Sequence, residues 1–338
     1  MKVYAGIDLH SSNNYVGIID EQDRRLYQKR LPNRLNSVLN ALSPFKKSLD
    51  GVIVESTYNW YWLVDGLQEA GYKVHLANPS AIKQYEGLKH TDDKWDSFWL
   101  AHMKRLNILP EGYIYPKEER PVRDLLRRRL LFVKSRTTHI LSIQSAVTRS
   151  LNFKVSAREI KHLGESEAAR MFDDSFNSLF ARSSTSLIRF LDERIKEIED
   201  KVKGYVDLKP EFKYLLTMPG IGKILGLTIM LEVGDIRRFP SVGDYSSYCR
   251  CVKSERITNK KKKGEGNRKN GNKYLAWAYV EAANFANRFY PRVQSFYQRK
   301  MSHRNGVVAI KALSNKLARA SYYVMRDQVP YDEDKLFR

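Results

Sequence analysis

The sequence predicts an α/β domain followed by mostly α-helical regions, and three observations predict it. Over residues 1–115, short apolar runs alternate with an amphipathic helical pattern. Over residues 116–210, apolar residues recur at helical spacing in two long segments. Over residues 211–338, apolar helices flank one segment dense in lysine and glycine. Strand and helix in alternation argue for a layered α/β unit, and sustained helical periodicity argues for packed helices.

Val3 to Ile7 reads as a buried strand that ends on Asp8, and the polar turn Ser11-Ser12-Asn13-Asn14 leads into a second apolar run, Tyr15 to Ile19. Two such runs around a polar turn make a hairpin. Arg24 to Arg34 is polar, and Leu35 to Leu39 starts a short helix. Gly51 to Val54 is the next strand and ends on Glu55. Trp60 to Ala70 has helical spacing and is capped by Gly71, and Tyr72 to Ala77 is a further strand closed by Asn78-Pro79. In α/β sheets, chemistry gathers at the carboxyl ends of the strands, where Asp8 and Glu55 fall.

A helix starting near Asp92 places Asp93 and Asp96 on one face, three residues apart. Each acid has an ordinary reading of its own: Asp8 as a turn cap, Asp92 and Asp93 as an acidic first turn favoured by the helix dipole. Together, two strand-end carboxylates and a D-x-x-D helix are the components of a metal-dependent nuclease-like site, and rigid oxygen ligands suit Mg²⁺.

From Pro121 to Val147 the pattern is helical, with Arg123, Arg127, Arg128, Arg129, Lys134 and Arg136 on its polar face. That face reads either as a solvated surface or as a contact for phosphate. A second helix over about 186–206 carries mixed charge, as solvated coiled-coil faces do, and 152–185 gives no assignable pattern. Leu215 to Lys223, with Met218-Pro219-Gly220-Ile221-Gly222, has the look of a helix-hairpin-helix turn or of a plain interhelical turn. Helices follow at Ile224–Val233, from Val242, over Tyr274–Phe289 and over Val307–Met325. Between them, Lys253 to Lys273 reads as a flexible loop that orders on nucleic acid, carrying Lys260, Lys261, Lys262, Lys263, Arg268, Lys269 and Lys273.

The totals agree with a polyanion partner. A formal net charge of +21 with 20 Tyr and 5 Trp favours nucleic acid over a small acidic ligand. With 338 residues, of which 42% are hydrophobic, two or three cored domains are expected. No apolar run approaches a bilayer span, no signal peptide is expected, and Cys249 and Cys251 cannot by themselves build a disulfide framework or a zinc site. The expected setting is cytoplasmic and reducing, with no membrane partner.

The order Asp8, Glu55, Asp93-x-x-Asp96 resembles the RuvC-like (RNase H-like) DEDD domain of a class of insertion-sequence transposases. These are the bridge-RNA-guided serine recombinases related to the Piv DNA invertase. Gly6-Ile7-Asp8, Val54-Glu55-Ser56-Thr57-Tyr58, Ala77-Asn78-Pro79, Thr91 to Asp96 with Leu100-Ala101, Met218 to Gly222, Arg238-Phe239, Asn270-Gly271-Asn272 and Lys316-Leu317-Ala318 carry the resemblance. It implies a RuvC-like catalytic domain over 1–115, a coiled-coil assembly region over 116–210 and a C-terminal transposase domain over 211–338. It further implies Mg²⁺ on Asp8, Glu55, Asp93 and Asp96, and a serine nucleophile joined covalently to DNA. A noncoding guide RNA, donor and target DNA, and a dimer or tetramer complete the expected set of partners, in a bacterial or archaeal cytoplasm at the nucleoid. The family's usual Ser-Gly before the basic loop is absent here, so the nucleophile falls on Ser254 or, counting without gaps, on Thr258. A water-using RuvC-like nuclease and a non-catalytic nucleic-acid-binding protein are the rival readings.

Overall fold

The computed structural model describes residues 1–82, 93–205, 210–253, 256–259, 261–264 and 270–336, with the side chains of 93, 94, 256, 257 and 262 outside that description. The chain divides into two compact units, Met1–Lys117 and Glu118–Arg338.

In the first unit, β1 (Val3–Leu9), β2 (Asn13–Asp20), β3 (Arg25–Pro32), β4 (Leu49–Glu55), β5 (Val74–Ala77) and β6 (Glu111–Gly112) form one mixed sheet ordered β3-β2-β1-β4-β5-β6. The first three strands are an antiparallel meander; β4 and β5 continue it in parallel with β1, and β6 closes it antiparallel. Among the described residues, α1 (Leu35–Leu42), α2 (Tyr61–Glu69) and α3 (Asp93–Arg105) cover the sheet. Strand side chains alternate between faces. Ala5, Ile7, Val52 and Val54 therefore pack with Val38 and Leu42 of α1 and Leu63 and Leu67 of α2. Tyr4, Ile19 and Ile53, on the other face, pack with Phe98, Leu100, Ala101 and Met103 of α3. Burial on both faces is why these strands read as unbroken apolar runs. The polar segment after Arg24 is also a strand: β3 is an edge strand exposed at most positions, so it has no apolar alternation to reveal it.

The seat of α3 is made by two glycines. Gly6 and Gly17 are direct partners across β1 and β2. A Cβ on Gly6 would come within 1.9 Å of the Ser97 carbonyl oxygen, and one on Gly17 within 2.7 Å of Ser97 Oγ. Only a pair without side chains lets the helix backbone approach this closely.

In the second unit, α4 (Arg120–Leu151) and α7 (Ser175–Lys203) lie antiparallel, since Arg129 pairs with Glu199 and Arg136 with Asp192. The segment without a legible pattern contains α5 (Ala157–His162) and α6 (Glu165–Arg170), each barely more than a turn and too short to display a period. Ser156 and Glu159 form a capping box at the start of α5, and Ile160, Ala168 and Phe172 join Ile143, Val147 and Ile188 in one core. The chain then runs through α8 (Pro210–Leu215), α9 (Lys223–Val233), α10 (Val242–Tyr248), β7 (Arg256–Thr258), β8 (Lys261–Gly264), α11 (Lys273–Phe289), α12 (Pro291–His303), α13 (Gly306–Asp327) and α14 (Glu333–Leu336). Leu227, Ile229 and Leu231 of α9 pack with Leu275, Ala278 and Ala282 of α11 and with Leu313 and Leu317 of α13. At the turn before α9, Gly220 has φ of +76°, and a Cβ there would lie 2.1 Å from the Ala282 carbonyl oxygen, so the turn is fitted to α11. Among the described residues, no helix is long and apolar enough to cross a membrane.

Gly6→Ala is expected to lower stability by at least the ~1–3 kcal/mol usual for overpacking, because the obstacle is backbone and cannot turn aside. Gly222→Ala, where a Cβ meets nothing within 4 Å, serves as the control. Paired thermal melts of the two variants check this; equal melting temperatures would remove the seat from the account.

Candidate active site and the basic ribbon

The α3 seat has a chemical consequence. Asp8 ends the β1 series Tyr4, Gly6, Asp8, and Glu55 ends the β4 series Ile53, Glu55; both series belong to the face covered by α3. Asp96 precedes Ser97, the residue pressed on Gly6. Asp8 is 4% exposed, and Glu55 and Asp96 are half-buried. The three carboxyl groups interact. Burial, then a hydrogen bond to the Asp8 carboxylate and the negative charges of Asp8 and Asp96, push the Glu55 carboxyl up to about 8.

Asp93, the first residue of α3, has its side chain outside the described residues. Among the described residues, no three ligand-type side chains already stand in metal-binding geometry. The donor set is nonetheless suited to a hard divalent cation: carboxylate oxygens, partly shut off from water and close enough to act on one another.

A polar frame fixes the strand ends. His10 Nε2 lies 3.0 Å from Asp8 Oδ2. The His10 carbonyl accepts from Asn33 Nδ2 at 2.9 Å and Asn59 Nδ2 at 3.0 Å. Asn14 Nδ2 donates to Asn33 Oδ1 at 3.0 Å, and Thr57 Oγ1 to Asn59 Oδ1 at 2.9 Å. The exit of β1 is thereby tied to the loops after β3 and β4. Sequence reading passed over His10, Asn33 and Asn59; only the i+2 spacing of His10 from Asp8 was available as a signal.

The second unit contains the other expected groups. Described residues of the basic segment form a two-stranded ribbon, with Thr258 opposite Lys261 beside the turn at Asn259. Thr258, Lys261 and Lys263 are exposed, as is Lys273 at the start of α11. Ser254, Lys260, Arg268 and Lys269 lie outside the described residues, as does the side chain of Lys262. Part of the segment is thus a strand pair where a flexible loop was expected; β-branched Ile257 and Thr258 suit an extended backbone.

The ribbon's root is clamped. Asn272 N–H donates to the Tyr248 carbonyl at 2.6 Å, and Arg250 Nε donates to the Gly271 carbonyl at 3.0 Å. Asn272 also caps α11 through Oδ1 and donates from Nδ2 to Glu232 Oε2 at 2.6 Å.

Glu232, 1% exposed on apolar α9, is held by Arg127 (2.5 and 2.8 Å) and Arg123 (3.2 Å) of α4. Burial acts to raise its pKa, but the two arginines and Asn272 together hold it below the ordinary carboxylate value. Arg129 is likewise bound to Glu199 at 2.5 Å, while Arg128 is exposed. The row of arginines looked uncompensated because its partners lie on α7 and α9, remote in sequence. A lone Glu near the end of an otherwise apolar helix was the legible sign that a buried cation waits for it.

Two family models match this chain. Residues 5–151, which span the acidic cluster, match the DEDD_Tnp_IS110 transposase model, and residues 212–298, which span the ribbon and Glu232, match that of the transposase IS116/IS110/IS902 family. The chain belongs to the IS110/IS116 family of transposases. It is similar over 96% of its length to the transposase for insertion sequence element IS1111A of Coxiella burnetii, at 23% identity and covering 90% of that protein. The transposase for insertion sequence element IS1328 of Yersinia enterocolitica is 30% identical over 144 residues, 40% of this chain and 42% of that one. The chain is accordingly an enzyme of DNA transposition.

Glu232→Ala leaves two buried guanidinium groups facing an empty site and is expected to destabilise the fold by about 3–5 kcal/mol in urea titrations. Because the folded pKa of Glu232 is depressed, its contribution is complete above the unfolded value near 4.5 and fades as pH falls through the folded one. Wild-type stability measured from pH 6 downward should therefore fall more steeply than that of Glu232→Ala.

Proposed function

We propose that this transposase cleaves and rejoins DNA strands through a Mg²⁺-dependent acidic tetrad and a covalent protein–DNA intermediate, guided by a noncoding RNA. The observation that carries the reading is the convergence of Asp8, Glu55 and Asp96, where burial and then the two neighbouring carboxylates push the Glu55 carboxyl up to about 8. Asp93 would complete the set. The acidic ends of adjacent parallel strands beneath a helix bearing a third acid support a RuvC-like domain.

When bound, Mg²⁺ supplies charge that stabilises the scissile phosphate and the departing oxygen. Asp8, Glu55, Asp93 and Asp96 would hold and orient it, and His10 with the asparagine frame keeps Asp8 in place. The hydroxyl of Ser254, or of Thr258 in the alternative, attacks the phosphate. A new phosphoester to the protein forms as one in the DNA breaks, and the freed strand end leaves as a hydroxyl. Rejoining is the same exchange run with a hydroxyl from another strand. Each exchange keeps the number of phosphoester bonds, so joining needs no external energy source. Thr258 stands exposed at the ribbon tip beside Lys261, which supports it as a live alternative to Ser254.

Arg128, Lys261, Lys263 and Lys273 suit phosphate contacts, with Lys260, Lys262, Arg268 and Lys269 along the same segment. Arg127 and Arg129 are occupied by carboxylates of their own unit. A dimer or tetramer would bring donor and target DNA together, with residues 116–210 mediating assembly.

Asp8→Ala, Glu55→Ala and Asp96→Ala are each expected to lower strand exchange at least a hundredfold while leaving DNA binding intact, and chelation should mimic them until Mg²⁺ is restored. Trapping on a labelled DNA with its RNA, followed by mass spectrometry, should find an adduct on residue 254 or 258. Cleavage that survives both Ser254→Ala and Thr258→Ala without any adduct would point to water as nucleophile.

A further inference from the structure

One side of α3 carries Trp95, Trp99 and His102, four and then three residues apart, and Trp99 also packs on the core that holds Ile53 and Ala77. Their rings form one column. Trp95 stacks on Trp99 with centroids 5.1 Å apart and 17° between planes; Trp99 stacks on His102 at 5.1 Å and 27°. The foot of the column is fixed. His102 Nδ1 lies 2.8 Å from Asp23 Oδ1, and Arg105 donates to both oxygens of Asp23, from Nε at 2.7 Å and from its terminal nitrogen at 2.5 Å.

Trp95 is the head of the column. Trp95 is 42% exposed and immediately precedes Asp96. A tryptophan placed for packing alone is normally buried and gives its indole N–H an acceptor. Here Trp95 stands in solvent, and the buried Trp99 Nε1 has no hydrogen-bond acceptor among the described residues. Stacking holds this column, and its last ring belongs to the residue just before Asp96.

We propose that an unpaired base of the DNA strand entering the acidic site stacks on Trp95 and extends the column by one ring. The inference rests on the strand-exchange reading above and adds a requirement to it: the DNA is locally unpaired where it meets Asp96. Three features select this occupant. The net charge of +21 draws a polyanion to the protein. An aromatic face accepts any base without regard to sequence. The neighbouring carboxylates are where the strand to be cut must lie. Trp95 acts as a positioning residue, and Trp99 and His102 hold its ring.

The test measures binding of the full chain to three labelled oligonucleotides of equal length by fluorescence anisotropy: a duplex with a short unpaired stretch, the same duplex fully paired, and a single-stranded RNA. Trp95→Ala should weaken binding to the gapped DNA about tenfold, as loss of one stacked base does, and leave the paired duplex within about twofold. Trp95→Phe, which keeps a ring, should recover most of the loss, and the salt dependence of binding should not change. If Trp95→Ala melts early, the decision passes to tryptophan fluorescence: gapped DNA should quench the wild type more than Trp95→Phe. No loss on gapped DNA, equal loss on paired and gapped DNA, or a loss confined to RNA would each overturn the proposal. Strand exchange is assayed separately: failure of wild-type exchange with a Trp95 effect intact sinks the functional reading alone, and normal exchange without a Trp95 effect sinks this inference alone.

Discussion

A helix pressed onto a pair of glycines is the constraint from which the first unit's chemistry follows. Gly6 and Gly17 face each other across two strands, and the Ser97 backbone occupies the space their side chains would need. Lifting α3 by the thickness of one methyl group would separate Asp96 from the strand-end carboxylates and turn the Trp95 column relative to them. The geometry of the acidic cluster is thus set by atoms that are missing, at positions carrying no functional group.

The two units treat a buried carboxylate in opposite ways. Around Glu232 the fold supplies two guanidinium groups and an amide, so the charge is neutralised in place and the helices are tied together. Around Glu55 the fold supplies burial and two further carboxylates, and the group is pushed up to about 8. The first arrangement is complete and serves structure. The second gathers like charge in a place partly shut off from water, the setting that raises a carboxyl group.

Much of this was legible from the residues. β1, β4 and β5 declared themselves as apolar runs, as did α9, which is buried all round, and α4, α11 and α13 declared themselves by their spacing, because in these three the buried residues recur at helical intervals. The acidic residues could be picked out by their place at strand ends. What stayed hidden was set by partners distant in the chain. β3 is an edge strand with little to bury, and α5 and α6 are too short to show a period. The arginines of α4 met their carboxylates on helices seventy to a hundred residues away. The strand pair Arg256–Thr258 and Lys261–Gly264 looked like loop because lysine and glycine dominate its composition.

The clamp at the ribbon's base has an evolutionary side. Tyr248 with Asn272, and Arg250 with Gly271, hold the two ends of the excursion together whatever lies between them. Closure entropy grows only with the logarithm of length, so doubling such an excursion adds roughly 0.6 kcal/mol. The tip can accordingly lengthen, shorten or exchange its residues with little effect on the helices beneath. Over generations such a segment can change its residues while the framework that carries it stays unchanged.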